Sequence, residues 1–145
     1  MGAAPDPIAA RIRITTMRVA RTLIVAALVF LVLDAAWLTI TGSRLYRPVL
    51  GALMRPDFDP AAAAMFYACY IAGLTRFAIL PSRSAREAAI QGALFGLVAY
   101  ATYDLTNQAT LVAWRWHLTA LDLTWGAAAS AVACTIAWRL AARNR

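Results

Sequence analysis

The chain has 145 residues, of which 62% are hydrophobic and 14% are charged, and its formal net charge is +7. Its mean hydropathy of +0.62 lies far outside the balance of soluble proteins, which excludes an ordinary soluble domain. The length accommodates about four membrane-spanning helices of ~20 residues with short connections, and it leaves no room for a separate soluble module.

Four apolar runs predict an all-α integral membrane protein, a four-transmembrane-helix bundle. Each run is long enough to cross a hydrocarbon core of ~30 Å at ~1.5 Å per residue. The breaks "SRLYRPVLGALMRPDFDP", "PSRSARE" and "AWRWH" hold prolines, arginines and acidic residues. The predicted spans are residues 19–41, 60–80, 88–112 and 118–142.

The region before the first span predicts a tail rather than a further element. Residues 1–16 are rich in Ala, Pro and Arg and have no apolar period, so we expect a disordered basic tail, with Met17 as an alternative start. Residues 17–145 form the single membrane domain. The first span is expected to be retained, because its apolar core exceeds the ~7–15 residues of a signal peptide and holds Asp34 and Trp37.

The distribution of arginine predicts the orientation, since arginine-rich short loops stay cytoplasmic. Both termini, on the arginine-rich side, are therefore expected in the cytoplasm. The positive charge is explained by this topology and by anionic lipid headgroups, so membrane lipids are the expected partners and nucleic acid is not. One side carries Arg11, Arg13, Arg18, Arg21, Arg83, Arg86, Arg139, Arg143 and Arg145, and the other carries Arg44, Arg47, Arg55 and Arg115.

Three acidic residues fall at one depth within the predicted spans. At ~1.5 Å per residue, Asp34 lies roughly 10 Å, Asp104 roughly 15 Å and Asp122 roughly 9 Å from the outer ends of their helices. Tyrosine, tryptophan and asparagine side chains share helix faces with these acids or lie at the same level. The candidate ligand-binding residues are Asp34, Trp37, Tyr67, Tyr70, Tyr100, Tyr103, Asp104, Asn107, Asp122 and Trp125.

Two short patterns bear on helix packing. Asp-x-x-Trp occurs as "DAAW" in the first span and as "DLTW" in the fourth, two helices of opposite direction, which suggests an inverted arrangement. Gly92 and Gly96 form a small-xxx-small motif that predicts close helix contact. The same small-residue faces are compatible with a homodimer or with a membrane-protein partner.

A charged Asp in the middle of a span costs about 2.5–3.5 kcal/mol on insertion scales. The acids are therefore expected to be protonated and hydrogen-bonded, to bind a cation, or to meet Arg44, Arg47 or Arg115 folding down from the loops. A polar network that only specifies helix register is the structural alternative. No His/Cys cluster with metal-ligand spacing accompanies the acids, so no metal and no cofactor are expected.

The segments "VFLVLDAAWL", "FGLVAYATYDLTNQATL" and "LDLTWG" resemble the family catalogued as domain of unknown function 2177. The resemblance covers roughly residues 17–142, and "ATYDLTN" and "DLTWG" are its most specific parts. It implies a bacterial inner-membrane protein with four spans, and it implies no activity. The residues before Met17 depart from the family pattern.

Three functions follow from these patterns. In the first, the polar residues line a cavity that binds or modifies a lipid-like amphiphile, with Asp104 as the candidate general acid and base. In the second, the protein is an accessory or assembly subunit of a larger membrane complex. In the third, the acids form a proton- or cation-coupled transport pathway, although the inner halves of the spans offer few polar groups for one.

Overall fold

The chain folds into an all-helical bundle in the computed structural model, which describes residues 7–142, except for the side chains of residues 7, 9 and 10. Four long helices form the bundle, and single π-helical segments continue three of them. The all-helical fold class is as predicted. The elements are α1 (Pro7–Thr41) with the π-helical Gly42–Tyr46, the short α2 (Arg47–Leu50), α3 (Pro60–Gly73) with the π-helical Leu74–Ile79, α4 (Ala85–Thr110), and α5 (Trp116–Ala137) with the π-helical Trp138–Ala142.

Within the described residues, three helical segments are long and apolar enough to cross a membrane: Arg11–Leu50, Pro60–Ile79 and Trp116–Ala142. Helix α4, which contains most of the predicted span 88–112, is long enough at 26 residues but is less apolar. Its second half carries Asp104, Asn107 and several hydroxyl groups. The four predicted helices are thus present, and three of them have the apolarity of a spanning helix.

Helix α1 begins earlier than the predicted first span. It starts at Pro7, so the described part of the predicted tail is helical, while residues 1–6 lie outside the described residues. Proline is favoured at the first helical position, and a helix that is already nucleated extends easily through residues of good helix propensity. The hydroxyl groups of Thr15 and Thr16 donate to the carbonyls of Arg11 and Ile12, both at 3.0 Å. The described side chains of this part of α1 are exposed, because the helix here extends beyond the packed bundle.

Helix caps determine where two of the connections end. The Asp59 carboxylate accepts from the backbone N–H groups of Ala61 and Ala62, both at 3.1 Å, at the start of α3. The Ser84 hydroxyl accepts from the Glu87 N–H at 3.1 Å at the start of α4. Each cap satisfies N–H groups that have no partner within the helix. The connections define the two ends of the bundle. Residues 42–59 and 111–115 lie at one end, which we call the loop end. Residues 80–84 lie at the other end, which we call the terminal end.

A glycine seam joins α4 to α5. A Cβ atom at Gly92 would lie 2.7 Å from both the Cys134 Sγ and the Ser130 carbonyl oxygen. A Cβ atom at Gly96 would overlap the backbone carbonyl of Gly126. Because only glycine permits this approach, the seam sets the rotation of α4 against α5. The tight contact follows the small-xxx-small prediction.

Helix α5 packs against both α4 and α1, and the π-helical segment Leu74–Ile79 packs against all three. Helix α3, nearer the loop end, packs on α1. The π-helical continuation of α3 therefore packs against α4 at the terminal end, whereas α3 itself is separated from α4 at the loop end. That separation creates the cavity in which the predicted polar residues meet.

Candidate functional site

A cavity of about 940 Å³ lies at the loop end between α1, α3 and α4. We call it the loop-end cavity. Helix α5 contributes Asp122 to its wall, and the segment 42–59 covers it. Its volume is in the range of about 300–1,000 Å³ that is typical of small-molecule sites. The lining residues are Asp34, Trp37, Leu38, Gly42, Tyr46, Leu50, Met54, Phe58, Ala63, Phe66, Tyr67, Tyr70, Ala99, Tyr100, Thr102, Tyr103, Thr106 and Asp122.

Asp34 is buried on α1 and accepts two hydrogen bonds from other helices. The Tyr67 hydroxyl of α3 donates to its Oδ2 at 2.6 Å, and the Trp125 indole N–H of α5 donates to its Oδ1 at 3.2 Å. Each carboxylate oxygen thus has a donor. The Asp34 carboxyl group therefore links α1, α3 and α5 at one point.

Asp122 is held by a second chain of hydrogen bonds. The Trp37 indole N–H donates to the Tyr46 hydroxyl oxygen at 3.0 Å, and the Tyr46 hydroxyl donates to Asp122 Oδ1. Tyr46 is the last residue of the π-helical segment after α1. The two chains cross, because each tryptophan of an Asp-x-x-Trp pattern leads to the aspartate of the other helix. Helices α1 and α5 run in opposite directions.

Asp104 is completely buried on α4, and neither of its carboxylate oxygens has a hydrogen-bond donor among the described residues. Its polar neighbour is the Asp122 carboxyl group, within hydrogen-bonding reach. Two carboxyl groups can bond to each other only when one of them carries a proton. Asp104 lies behind the cavity wall, so the acid that faces the cavity from this pair is Asp122.

Aromatic rings close the deep end of the cavity. The Tyr70 hydroxyl pairs with the Ser130 hydroxyl at 2.8 Å. The Tyr70 ring lies 4.7 Å from Phe30, 5.4 Å from Phe95 and 6.3 Å from Tyr100, measured between centroids. Further toward the terminal end, the core of the described residues is filled mostly by small and aliphatic side chains. The cavity is therefore closed on the side that faces the terminal end.

The structure brings most of the candidate residues to this cavity. Trp125 lies behind the wall, where it bonds to Asp34, and Asp104 lies behind Asp122. Asn107 is half-buried on α4 and does not line the cavity. The candidates that line it are Asp34, Trp37, Tyr67, Tyr70, Tyr100, Tyr103 and Asp122.

The sequence interpretation missed Tyr46 and the apolar side chains of the covering segment. Tyr46 is not among the candidate residues, yet its hydroxyl donates to Asp122. It follows Trp37 by nine residues across a change from α- to π-helix, so no regular helical period relates the two. Leu50, Met54 and Phe58 also reach the cavity. The sequence feature that could have identified them is the large number of apolar residues in the connection between the first two spans.

Among the described residues, Asp34 and Asp122 accept hydrogen bonds from phenol and indole groups rather than from arginine. Among the described residues, the ion pair is Arg55 with Asp59, at 3.8 Å in the exposed segment. In the same part of the chain, no group of three or more His, Cys, Asp or Glu residues could hold a metal ion. Arg143 and Arg145, which contributed to the predicted orientation, lie outside the described residues.

Comparisons with known proteins place the chain in a family. Searches against curated proteins and against solved structures found no match. The family described as predicted membrane protein (DUF2177) matches the chain over residues 19–139, from the first long helix to the last. This range includes both Asp-x-x-Trp patterns and every residue that lines the cavity. The chain therefore belongs to the DUF2177 family of predicted membrane proteins.

Proposed function

We propose that the protein binds or modifies a lipid-like amphiphile in the loop-end cavity. The observation that carries this proposal is the cavity itself, which combines buried polar groups with apolar walls. Asp34 and Asp122 are buried in its interior, while Phe58, Phe66 and Met54 line it and are exposed on their outer sides. Such a cavity matches a ligand with one polar and one apolar part.

The gap between α3 and α4 gives the apolar part of the ligand a route to lipid. Tyr103 and Thr102 on α4 line the cavity and are exposed, and Phe66 on α3 is exposed opposite them. A head bound near the acids can therefore leave its chain pointing sideways between the two helices. In a membrane this direction leads into the bilayer, where a chain stays in an apolar environment.

We propose further that the protein lies in a bacterial inner membrane with both termini in the cytoplasm. Arginine is the support: Arg11, Arg13, Arg18 and Arg21 belong to the terminal end of α1. The loop-end cavity then opens in the outer half of the bilayer.

Native mass spectrometry with lipid identification tests the ligand proposal. The matched variants are Thr102→Trp and Thr124→Trp, because both threonines are exposed and bond to a carbonyl of their own helix, but only Thr102 lines the cavity. A defined amphiphile should co-purify with the wild type and with Thr124→Trp, and it should be lost in Thr102→Trp. If all three proteins carry only bulk lipid, the amphiphile proposal fails and an accessory role in a larger complex takes its place.

A further inference from the structure

We infer that the loop-end cavity selects an amphiphile whose head is a positively charged amine. This inference rests on the proposed function and adds the chemistry of the head. It follows from which charged side chains reach the cavity, which partners those side chains already have, and which groups surround them.

The charge that lines the cavity is of one sign. Asp34 on α1 and Asp122 on α5 both line it, and no described residue that lines it is an arginine or a histidine. Asp104 lies directly behind Asp122 and adds a third carboxyl group to the same region. Two carboxyl groups that share one proton still carry one negative charge, so the pair of Asp104 and Asp122 remains an acceptor for a positive head.

The hydrogen bonds of the acids leave this charge uncompensated. Tyr67 and Trp125 donate to Asp34, and Tyr46 donates to Asp122, but all three donors are neutral groups. An anionic head would therefore meet carboxylates with no opposing charge, which is unfavourable in a site of low dielectric. A cationic head would provide the opposing charge for the acids that line the cavity, Asp34 and Asp122.

The surrounding rings favour an organic cation over a metal ion. Trp37, Tyr67, Tyr70 and Tyr100 all line the cavity, and the faces of such rings attract ammonium groups within about 6 Å. Carboxylates alone would suit a metal ion, but the described residues contain no cluster of three or more ligands that could hold one. Aromatic rings beside two carboxyl groups therefore favour an ammonium group as the ligand's head.

Binding of three probes that share one chain tests the inference: oleylamine, oleyl alcohol and oleic acid, each added separately to the purified protein in neutral detergent. Occupancy is measured by native mass spectrometry, with Thr102→Trp as the background. The wild type should bind oleylamine at least about tenfold more tightly than the alcohol, the ratio that a charge-assisted hydrogen bond supplies. Oleic acid should bind most weakly.

Variants then assign the preference to the acids. Asp122→Asn should reduce the preference for the amine over the alcohol by about tenfold while oleyl alcohol still binds. Asp34→Asn provides the same test if Asp122→Asn does not fold. Asp57→Asn, in an exposed position that does not line the cavity, should retain the wild-type preference.

The outcomes separate this inference from the proposed function. Equal or tighter binding of the alcohol would overturn the amine head and leave an amphiphile site. A preference for oleic acid would also overturn it, and would indicate that Arg44 and Arg47 in the covering segment bind the head. If no probe binds above the Thr102→Trp background, the proposed function itself fails.

Discussion

The indole rings of Trp37 and Trp125 stack face to face, with centroids 4.5 Å apart and planes inclined by 6°. This contact joins α1 to α5 at the level of the two buried chains of hydrogen bonds. Each ring also donates from its N–H group, Trp37 to Tyr46 and Trp125 to Asp34. The stack therefore holds both donors in place at once, so the two chains should respond together when either ring is removed.

A double-mutant cycle measures that coupling. Trp37→Phe and Trp125→Phe should each destabilise the protein, and the double variant should lose less than the sum, with a coupling energy of about 0.5–1.5 kcal/mol. The measurement is thermal or denaturant unfolding in one detergent. Strictly additive losses would mean that the two rings act independently.

Tyr46→Phe removes the one hydroxyl that connects Trp37 to Asp122. The loss of a buried donor to a carboxylate should cost about 1–3 kcal/mol. Tyr103→Phe is the control, because Tyr103 lies on the exposed rim of the cavity, outside this chain of hydrogen bonds. Unfolding temperatures that fall equally in both variants would remove Tyr46 from the network.

Gly96→Ala should push α4 away from α5, because the new Cβ would overlap the Gly126 carbonyl, which is backbone and cannot rotate away. Overpacking of this kind costs about 1–3 kcal/mol. Gly42→Ala is the matched control, since a Cβ there meets no heavy atom within 4 Å. Equal stability of the two variants in an unfolding titration would contradict the glycine seam.

Asp104→Asn should keep or raise the stability of the fold. The asparagine amide can donate to Asp122, which replaces a contact between two acids by a hydrogen bond. Asp104→Leu removes the polar group without supplying a donor and isolates the effect of the amide. A loss of stability in Asp104→Asn relative to the wild type would show that the carboxyl pair is itself stabilising.

Labelling of introduced cysteines tests the proposed orientation. Asp57→Cys and Arg83→Cys change exposed residues at the loop end and the terminal end, respectively. In a background without Cys69 and Cys134, a membrane-impermeant maleimide should label the first variant in intact cells and the second only after the cells are opened. The reverse pattern would invert the topology, and with it the leaflet of the cavity.

The helical period predicted part of the α4 contribution, because it determines which side chains of one helix point the same way, although Asp104 and Asn107 do not line the cavity. Tyr100 and Tyr103 line one cavity for this reason. The sequence did not predict that Asp122 lines the cavity while Asp104 lies behind its wall, since both positions depend on the rotation of α4 against α5. Contacts between Gly96 and Gly126 set that rotation. The spacing of residues within one helix gives no information about its rotation against a neighbouring helix.

The glycine seam also determines which wall of the cavity can adapt. Helices α4 and α5 touch backbone to backbone, so the side of the cavity that they form has a fixed shape. Helix α3 faces it across the gap and rests on α1 through side-chain contacts such as that between the rings of Phe30 and Tyr67. A side held by backbone contacts, formed by α4 and α5, and a side held by side-chain contacts, formed by α3, suit a site that is selective for the head group and accepts chains of different thickness.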